Sequence, residues 1–408
     1  MRSYLVLVVG CAIWMSACGF PRPPDVMGND DGGAGCMVNQ SVRCDGSNLV
    51  RCNSDGTAEV SDSCSLGCNA TALRCNDVAP SNGLGQYLDI AVEEVAIDLG
   101  TKATINTDNG TVVIDGTPVA VRSALVAQTG GPTILAFVVH GFKANDVTIT
   151  GGNAFAVVSN GDIQIGGVFS ASAVGSVPSP GGFNDSSCRG GDPDTHIASA
   201  LSGAGGGGFG LAGGSGGSAT TSDGTAIGGT GGKQTGNDSL VPLRGGCDSG
   251  RINSAFGSGG GAIQLVARTK ITIGGVVAVN GSSVLGGGSG GGVLLEAPTV
   301  EVSGTIVANG GAGAGSCFLP QAGENGRLDA MPAAPGLGCD ANHGNGGNGG
   351  AGATIAGDGV STSAPNGNAG GGFGGGGVGR IRINTVAGGF HRAGLFSPNP
   401  STGSVGLR

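Results

Sequence analysis

Beyond Pro80 the apolar residues recur in short runs that alternate with polar ones. The alternation is plain at Ile163/Ile165, Ile271/Ile273, Val300/Val302 and Ile381/Ile383. A period of two is the signature of a strand, and the Val/Ile content agrees with it. These runs group into a repeating unit. Asn153 to Ala173 reads NAFAVVSNGDIQIGGVFSASA, Gly261 to Gly281 reads GAIQLVARTKITIGGVVAVNG, and Gly291 to Gly310 reads GGVLLEAPTVEVSGTIVANG, the last with one deletion. Gly376 to Gly389 (GGVGRIRINTVAGG) reads as a final, partial copy. A unit of about 20 residues with two or three short strands cannot bury its apolar face alone, but stacked units can. The pattern therefore predicts an all-β domain over 84–408: a parallel β-helix, right-handed by default, with rungs about 4.8 Å apart. A β-sandwich would account for the strands but not for the repeated in-register motif. Asn160-Gly161, Asn280-Gly281 and Asn309-Gly310 are read as turns in which Asn and Gly take the left-handed conformation. Thr111 to Ile114, Thr133 to His140 and Asp146 to Thr150 are read as the first rungs and cap.

Long insertions interrupt the units at one place. Residues 175–258 follow the third strand of the first copy, and residues 311–371 follow the corresponding strand of the third. The shorter linker 282–290 follows the second copy at the same turn. Insertions at one turn of successive rungs emerge on one side of a solenoid, commonly a binding face. Both long ones are dominated by glycine (GGGGFGLAGGSGG, GNGGNGGAGA). Such segments are either mobile or packed as extended left-handed helices, an arrangement that resembles the polyglycine-II bundles of some phage adhesins.

The N-terminus has a different pattern. Arg2 precedes an apolar stretch, Tyr4 to Trp14, that is too short to span a bilayer and has the length of a secretory signal. Met15-Ser16-Ala17-Cys18 resembles the lipobox of bacterial lipoproteins. That resemblance implies a signal peptide over 1–17 and lipidation of Cys18, tethering the chain to a membrane. Gly19 after the cysteine resembles lipoproteins sorted onward to an outer membrane. Residues 18–35, rich in Gly, Pro and Asp, read as a flexible tether. Residues 36–79 hold Cys36, Cys44, Cys52, Cys64, Cys68 and Cys75 around short strand-like runs (SVRC, NLVRC, AEVS), with turn signals at Asp45-Gly46 and Asp55-Gly56. Too small for its own core, this module is expected to depend on disulfides. Six cysteines allow fifteen pairings, and the sequence does not choose among them. Zinc is a poor alternative there, because the module has no His and no paired CxxC knuckles.

Composition adds bounds. The 90 glycines and 17 prolines make up roughly a quarter of the 408 residues. The net charge of −9 and the absence of a basic cluster argue against nucleic acid. Of two Tyr and one Trp, only Tyr87 follows the leader, which leaves little for sugar stacking. Of twelve cysteines, Cys11 and Cys18 are assigned to export, leaving six in the module and Cys188, Cys247, Cys317 and Cys339 in the insertions. An exported chain meets an oxidising compartment, so disulfides are the default. Pairs within each insertion, Cys188–Cys247 and Cys317–Cys339, are expected, with pairing between insertions as the alternative.

Taken together, the lipobox, the tether, a six-cysteine module ending in Pro80-Ser81-Asn82-Gly83-Leu84, and glycine-interrupted strands ending in Gly379-Arg380-Ile381-Arg382-Ile383 resemble the glycine-rich surface lipoproteins of large-genome gliding bacteria. The resemblance implies an outer-membrane or cell-surface location and this architecture, and no chemistry.

β-Helices also host polysaccharide lyases and hydrolases, which place carboxylates on adjacent rungs. The strands here offer Asp162, Glu296, Glu301, Arg268, Lys270, Arg380 and Arg382. Asp162 aligns with Lys270 and Glu296 with Val266, so no acidic pair recurs at one position. These charges are read as solvated surface. The densest polar clusters are Arg189, Asp192, Asp194 and His196 beside Cys188, and Asp340 with His343 beside Cys339. If the insertions stack, His196 and His343 approach each other and bind a metal with Asp192 or Asp194; turn chemistry is the favoured alternative, and no cofactor is expected. Neither a nucleophile elbow, a P-loop nor a calcium repeat is present. The expected function is non-enzymatic: a surface lipoprotein engaging a protein or polysaccharide partner through adhesion or envelope and matrix contact. The alternatives are a carbohydrate-active β-helix enzyme and a subunit of an envelope assembly.

Overall fold

The computed structural model describes residues 36–408 apart from Asn184 and Phe318. The leader, Cys18 and the tether lie outside the described residues. The described chain is nearly all-β, with one six-residue helix, Gly85–Ile90, and a 3-10 turn, Ala91–Glu93.

The repeat units supply one strand each to three separate sheets. The first sheet takes Ile134–Val139, Ala154–Ser159, Ala262–Ala267, Gly292–Glu296, Arg380–Thr385 and Ser401–Ser404, all parallel. The second takes Ile97–Asp98, Phe142–Ala144, Ile163–Ile165, Lys270–Ile273, Thr299–Val302 and Phe390–Arg392, again parallel. The third takes Lys102–Asn106, Asp146–Thr150, Val168–Ser170, Val276–Ala278, Thr305–Val307 and Leu395–Ser397. Equivalent residues of successive units face one another: Ile163 pairs with Ile271, Ile271 with Val300, and Val300 with Phe390. Inward side chains of the three sheets form one apolar core, including Phe137, Phe155, Phe169, Ile271, Val300, Ile306 and Ile383.

One expectation about the ends is corrected. The last copy is not partial. After Thr385 the chain makes the second- and third-sheet strands Phe390–Arg392 and Leu395–Ser397, whose short polar-flanked runs hide the period. At the other end Thr111–Ile114 takes the capping role. It pairs antiparallel with Lys102–Asn106, as Ser123–Val126 does with Ile134–Val139, so antiparallel strands finish two of the sheets.

The sheets differ in what covers their outer faces. Strands of the second sheet alternate buried and exposed, as in Ile163–Ile165. Strands Ile134–Val139, Ala154–Ser159 and Ala262–Ala267 of the first sheet are buried at every residue, which is why they read as continuous apolar runs. Their outer side chains pack with Val78, Leu84, Leu88, Phe209, Leu240 and Leu243. The charges on this sheet are therefore not solvated surface. Glu296 is 1% exposed and accepts hydrogen bonds from Ser81 N (3.0 Å), Ser81 Oγ (2.8 Å), Gln264 Nε2 (2.7 Å) and Asn384 Nδ2 (3.1 Å). Asn82, at φ 59°, donates to Gln264 and to Leu240 O. The Pro80–Leu84 motif is thus a polar latch that holds the covering segment down. Arg268 pairs with Asp77 (2.9 Å), and Arg408 with Asp77 and Asp89. Backbone bonds between Asp77 and Arg408 bring the chain's last residues against the segment that follows the cysteine-rich module.

That module, from Cys36 to Cys75, is a three-stranded antiparallel sheet, Ser41–Asp45, Asn48–Cys52 and Glu59–Ser63, plus the two-residue strands Cys68–Asn69 and Arg74–Cys75. Gly46, at φ 60°, supplies the left-handed residue of its first hairpin. Cys36 is bonded to Cys52, Cys44 to Cys68 and Cys64 to Cys75.

The Asn-Gly positions differ from the sequence expectation. None of Asn160, Asn280 and Asn309 has a positive φ, and neither do the glycines after them. Asn280 and Asn309 are buried, and Asn309 N donates to Asn280 Oδ1 (2.8 Å). Their side-chain amides donate to the carbonyls of Gly326, Arg327 and Asp329. They form a ladder that fixes the second insertion to the repeat units, a role set by tertiary contacts rather than by turn preference.

Candidate functional site

All the insertions leave from the third sheet and return to the first, at the same corner of three successive units. Their glycine-rich stretches are ordered, and their backbone hydrogen bonds recur every third residue. Gly371, Gly374 and Gly377 donate to Leu201, Ala204 and Gly207. Gly372 and Gly375 donate to Val360 and Gly357, while Phe373, Gly376 and Gly379 donate to Ala314, Gly311 and Ala308. Successive amides of one segment thus point to three different neighbours. Three residues per turn is the repeat of the polyproline-II helix, which makes no internal hydrogen bonds and must satisfy its amides outside itself. Contact is close enough to exclude side chains: a Cβ on Gly206 would lie 2.0 Å from Gly375 O. Glycine is required here by approach, not by backbone angle.

The two insertions form one bundle although two repeat units separate them in sequence. Ala219–Thr221 pairs antiparallel with Gly224–Ala226 and parallel with Thr362–Ala364, and Ala200–Leu201 pairs with Ala369–Gly370. Ser215 N donates to Asp358 Oδ1 and Ser218 N to Ser361 Oγ. Disulfides Cys188–Cys247 and Cys317–Cys339 close a loop within each insertion. These small sheets enclose a cluster of Ala200, Ala219, Ala226, Ala364 and Ala369 under Ile197. Beside these sheets Ile227 is 61% exposed and Val360 50%, and elsewhere on the second insertion Leu337 is 59% and Leu319 78% exposed.

The polar residues singled out from sequence fall into separate pairs. His196 Nδ1 contacts Asp194, and that bond holds the Asp194 carboxyl below its ordinary range. His343 Nδ1 lies 2.7 Å from Asp340 Oδ1, with the same effect on Asp340. Burial pulls Asp192 upward, but bonds from Arg251 N–H and Arg189 leave it below its usual value. Among the described residues no group joins His196 to His343: three metal-type donors converge only at Cys339, Asp340 and His343. Asp192, Asp194 and Asp340 each brace their own loop, the turn chemistry favoured over a joint cluster of His196 and His343. Sequence reasoning did not single out Ser199, whose hydroxyl bonds Thr221 and Asp223 across the small sheets; an isolated serine gives no signal.

In the parallel sheets, Glu296 stands opposite Val266, and Glu301 opposite Thr272. A cleft of about 410 Å³ between the bundle and the C-terminal loop is lined by Leu211, Asp238, Val378, Arg380, Ile381 and Pro398. Its guanidinium, on Arg380, is taken up by Thr235 O and Asp238. A shallower one of about 440 Å³ on the second sheet has Lys143 paired with Asp98 at 3.1 Å. Among the described residues no helix is long and apolar enough to cross a membrane. No protein-family model matches the chain, and no curated protein or solved structure is significantly similar to it.

Proposed function

We propose that the chain is an exported, lipid-anchored surface protein that displays a glycine bundle for adhesion or for contact with the envelope or matrix. In this reading Cys18 carries the lipid and 18–35 is the tether. The cysteine-rich module is a spacer, and the three sheets are the faces of a right-handed parallel β-helix. The observation that carries it is the joining of two distant insertions into one hydrogen-bonded platform with Ile227, Val360, Leu337 and Leu319 left in water. A scaffold that orders loops before contact lowers the entropic cost of binding. The partner is a protein or polysaccharide of the surface.

The test is binding of the purified chain to whole cells, envelope fragments and extracted matrix. It is compared with a variant carrying Ile227→Ser, Leu319→Ser, Leu337→Ser and Val360→Ser. Loss of binding with unchanged circular dichroism and thermal unfolding supports display through this end. Equal binding by the variant refutes it.

A further inference from the structure

Ligand atoms of Cys339, Asp340 and His343 lie within 4.8 Å of one another, and Cys317 is bonded to Cys339. One sulfur, a carboxylate and an imidazole thus meet on one turn, and a second sulfur, that of Cys317, is joined to the first through the disulfide. The turn is held in shape: Asn342 N donates to Asp340 Oδ1 (2.8 Å), His343 N to Asp340 O (3.2 Å), and Gly338 N to Asn345 Oδ1 (2.8 Å). His343 also bridges Gly370 of the small sheet. While the disulfide is closed, neither sulfur is a thiolate and the group cannot hold a metal.

We infer that this corner is a two-state site: a disulfide when oxidised, and a four-donor zinc site formed by Cys317, Cys339, Asp340 and His343 when reduced. A dithiol reductant transfers two electrons and two protons to the Cys317–Cys339 bond. The S–S bond breaks, two thiols form, and the reductant is oxidised to its own disulfide. Zinc then displaces both thiol protons and takes two thiolate sulfurs, an imidazole nitrogen of His343 and a carboxylate oxygen of Asp340. Bond lengths of about 2.3 Å to sulfur and about 2.0–2.2 Å to nitrogen and oxygen require the three donors within 4.8 Å to draw together and the released Cys317 sulfur to turn toward Asp340 and His343. Soft sulfur and imidazole select zinc over calcium or magnesium. Access favours this disulfide as the one that opens. Cys339 is exposed, whereas Cys188 and Cys247 are buried at 0% and 1%. Both states close the same loop, so the metal replaces the crosslink that reduction removes. The inference is independent of the adhesion reading.

The experiment uses the full chain in detergent, reduced under argon with a small dithiol, with cobalt(II) as the probe. Alkylation and mass spectrometry identify which cysteines have opened. Expected are one equivalent of cobalt, a thiolate-to-cobalt charge-transfer band, tetrahedral ligand-field bands, and loss of all of them on adding zinc. His343→Gln and Asp340→Asn should each weaken cobalt binding by at least about tenfold. Both variants keep the disulfide, so their oxidised fold provides the folding control. The double variant Cys317→Ser/Cys339→Ser should show no charge-transfer band. Three results would overturn the inference: Cys317 and Cys339 resist reduction until the chain unfolds, no band appears once they are open, or the band survives in the double-cysteine variant or the His343 variant binds cobalt as tightly as the parent.

Discussion

If glycine is needed in the bundle because chains touch, an added methyl should be costly at Gly376 and harmless at Gly367. A Cβ on Gly376 would sit 2.0 Å from Gly288 O, a backbone atom that already accepts from Gly311 N. Ordinary contact begins near 3.4 Å, so the two chains must part by about 1.4 Å. That movement opens Gly311 N to Gly288 O and strains Gly287 N to Gly374 O and Gly290 N to Gly377 O. Two or three lost bonds at about 1 kcal/mol each, with overpacking of about 1–3 kcal/mol, predict a loss of about 3–6 kcal/mol for Gly376→Ala. At Gly367 a Cβ meets nothing within 4 Å and φ is not positive. There Ala should be neutral or stabilise by about 0.4–1 kcal/mol through the unfolded chain. Urea unfolding of both variants with disulfides intact, followed by fluorescence-free circular dichroism and amide exchange in 344–379, measures the difference. Equal midpoints, or a fully tolerated Gly376→Ala, would refute close packing as the reason for the glycines.

Other expectations follow from single contacts. Removing the Cys188–Cys247 bridge, which spans 59 residues, should cost about 4 kcal/mol by loop entropy and first raise protease cleavage within the first insertion. Glu296→Ala leaves Ser81, Gln264 and Asn384 without their shared acceptor and should cost about 3 kcal/mol, releasing the Pro80–Ile90 cover to proteolysis. Glu296→Gln should recover part of that loss. The Arg408 side chain, against a smaller opposing pull from burial, holds the Asp89 carboxyl below its ordinary value. The stability it adds is therefore present above the unfolded value of about 3.9 and disappears as pH falls through the lower, folded one. An Arg408→Gln variant should accordingly lose its deficit relative to the parent only in that acid window. Cys18→Ala should abolish incorporation of labelled fatty acid and move the chain from the membrane to the soluble fraction; continued labelling would remove the lipoprotein reading.

The strands and their stacking were legible because one periodicity repeats at matching positions, as Ile163, Ile271 and Val300 show. The outer cover of the first sheet was not. It comes from Leu84, Leu88, Phe209, Leu240 and Leu243, which share no spacing, so Glu296 and Arg268 looked like surface. Composition could not decide between mobile and packed glycine tracts either. Each amide finds its acceptor on a remote segment, as Ser215 does on Asp358, and no local pattern encodes such a partner. The metal-type donors at Cys339 were visible as a motif, but their separation from His196 depends on which loop each carboxylate braces.

The repeat of three along the bundle has a consequence for how its loops can change length. Inserting one residue turns every later amide by about 120° and aims it at the wrong neighbour. Inserting three lengthens the segment by about 9 Å and leaves every direction as it was. Loop tips on this lattice are therefore free to grow in triplets, so reach is adjustable in steps while the scaffold beneath keeps its bonds.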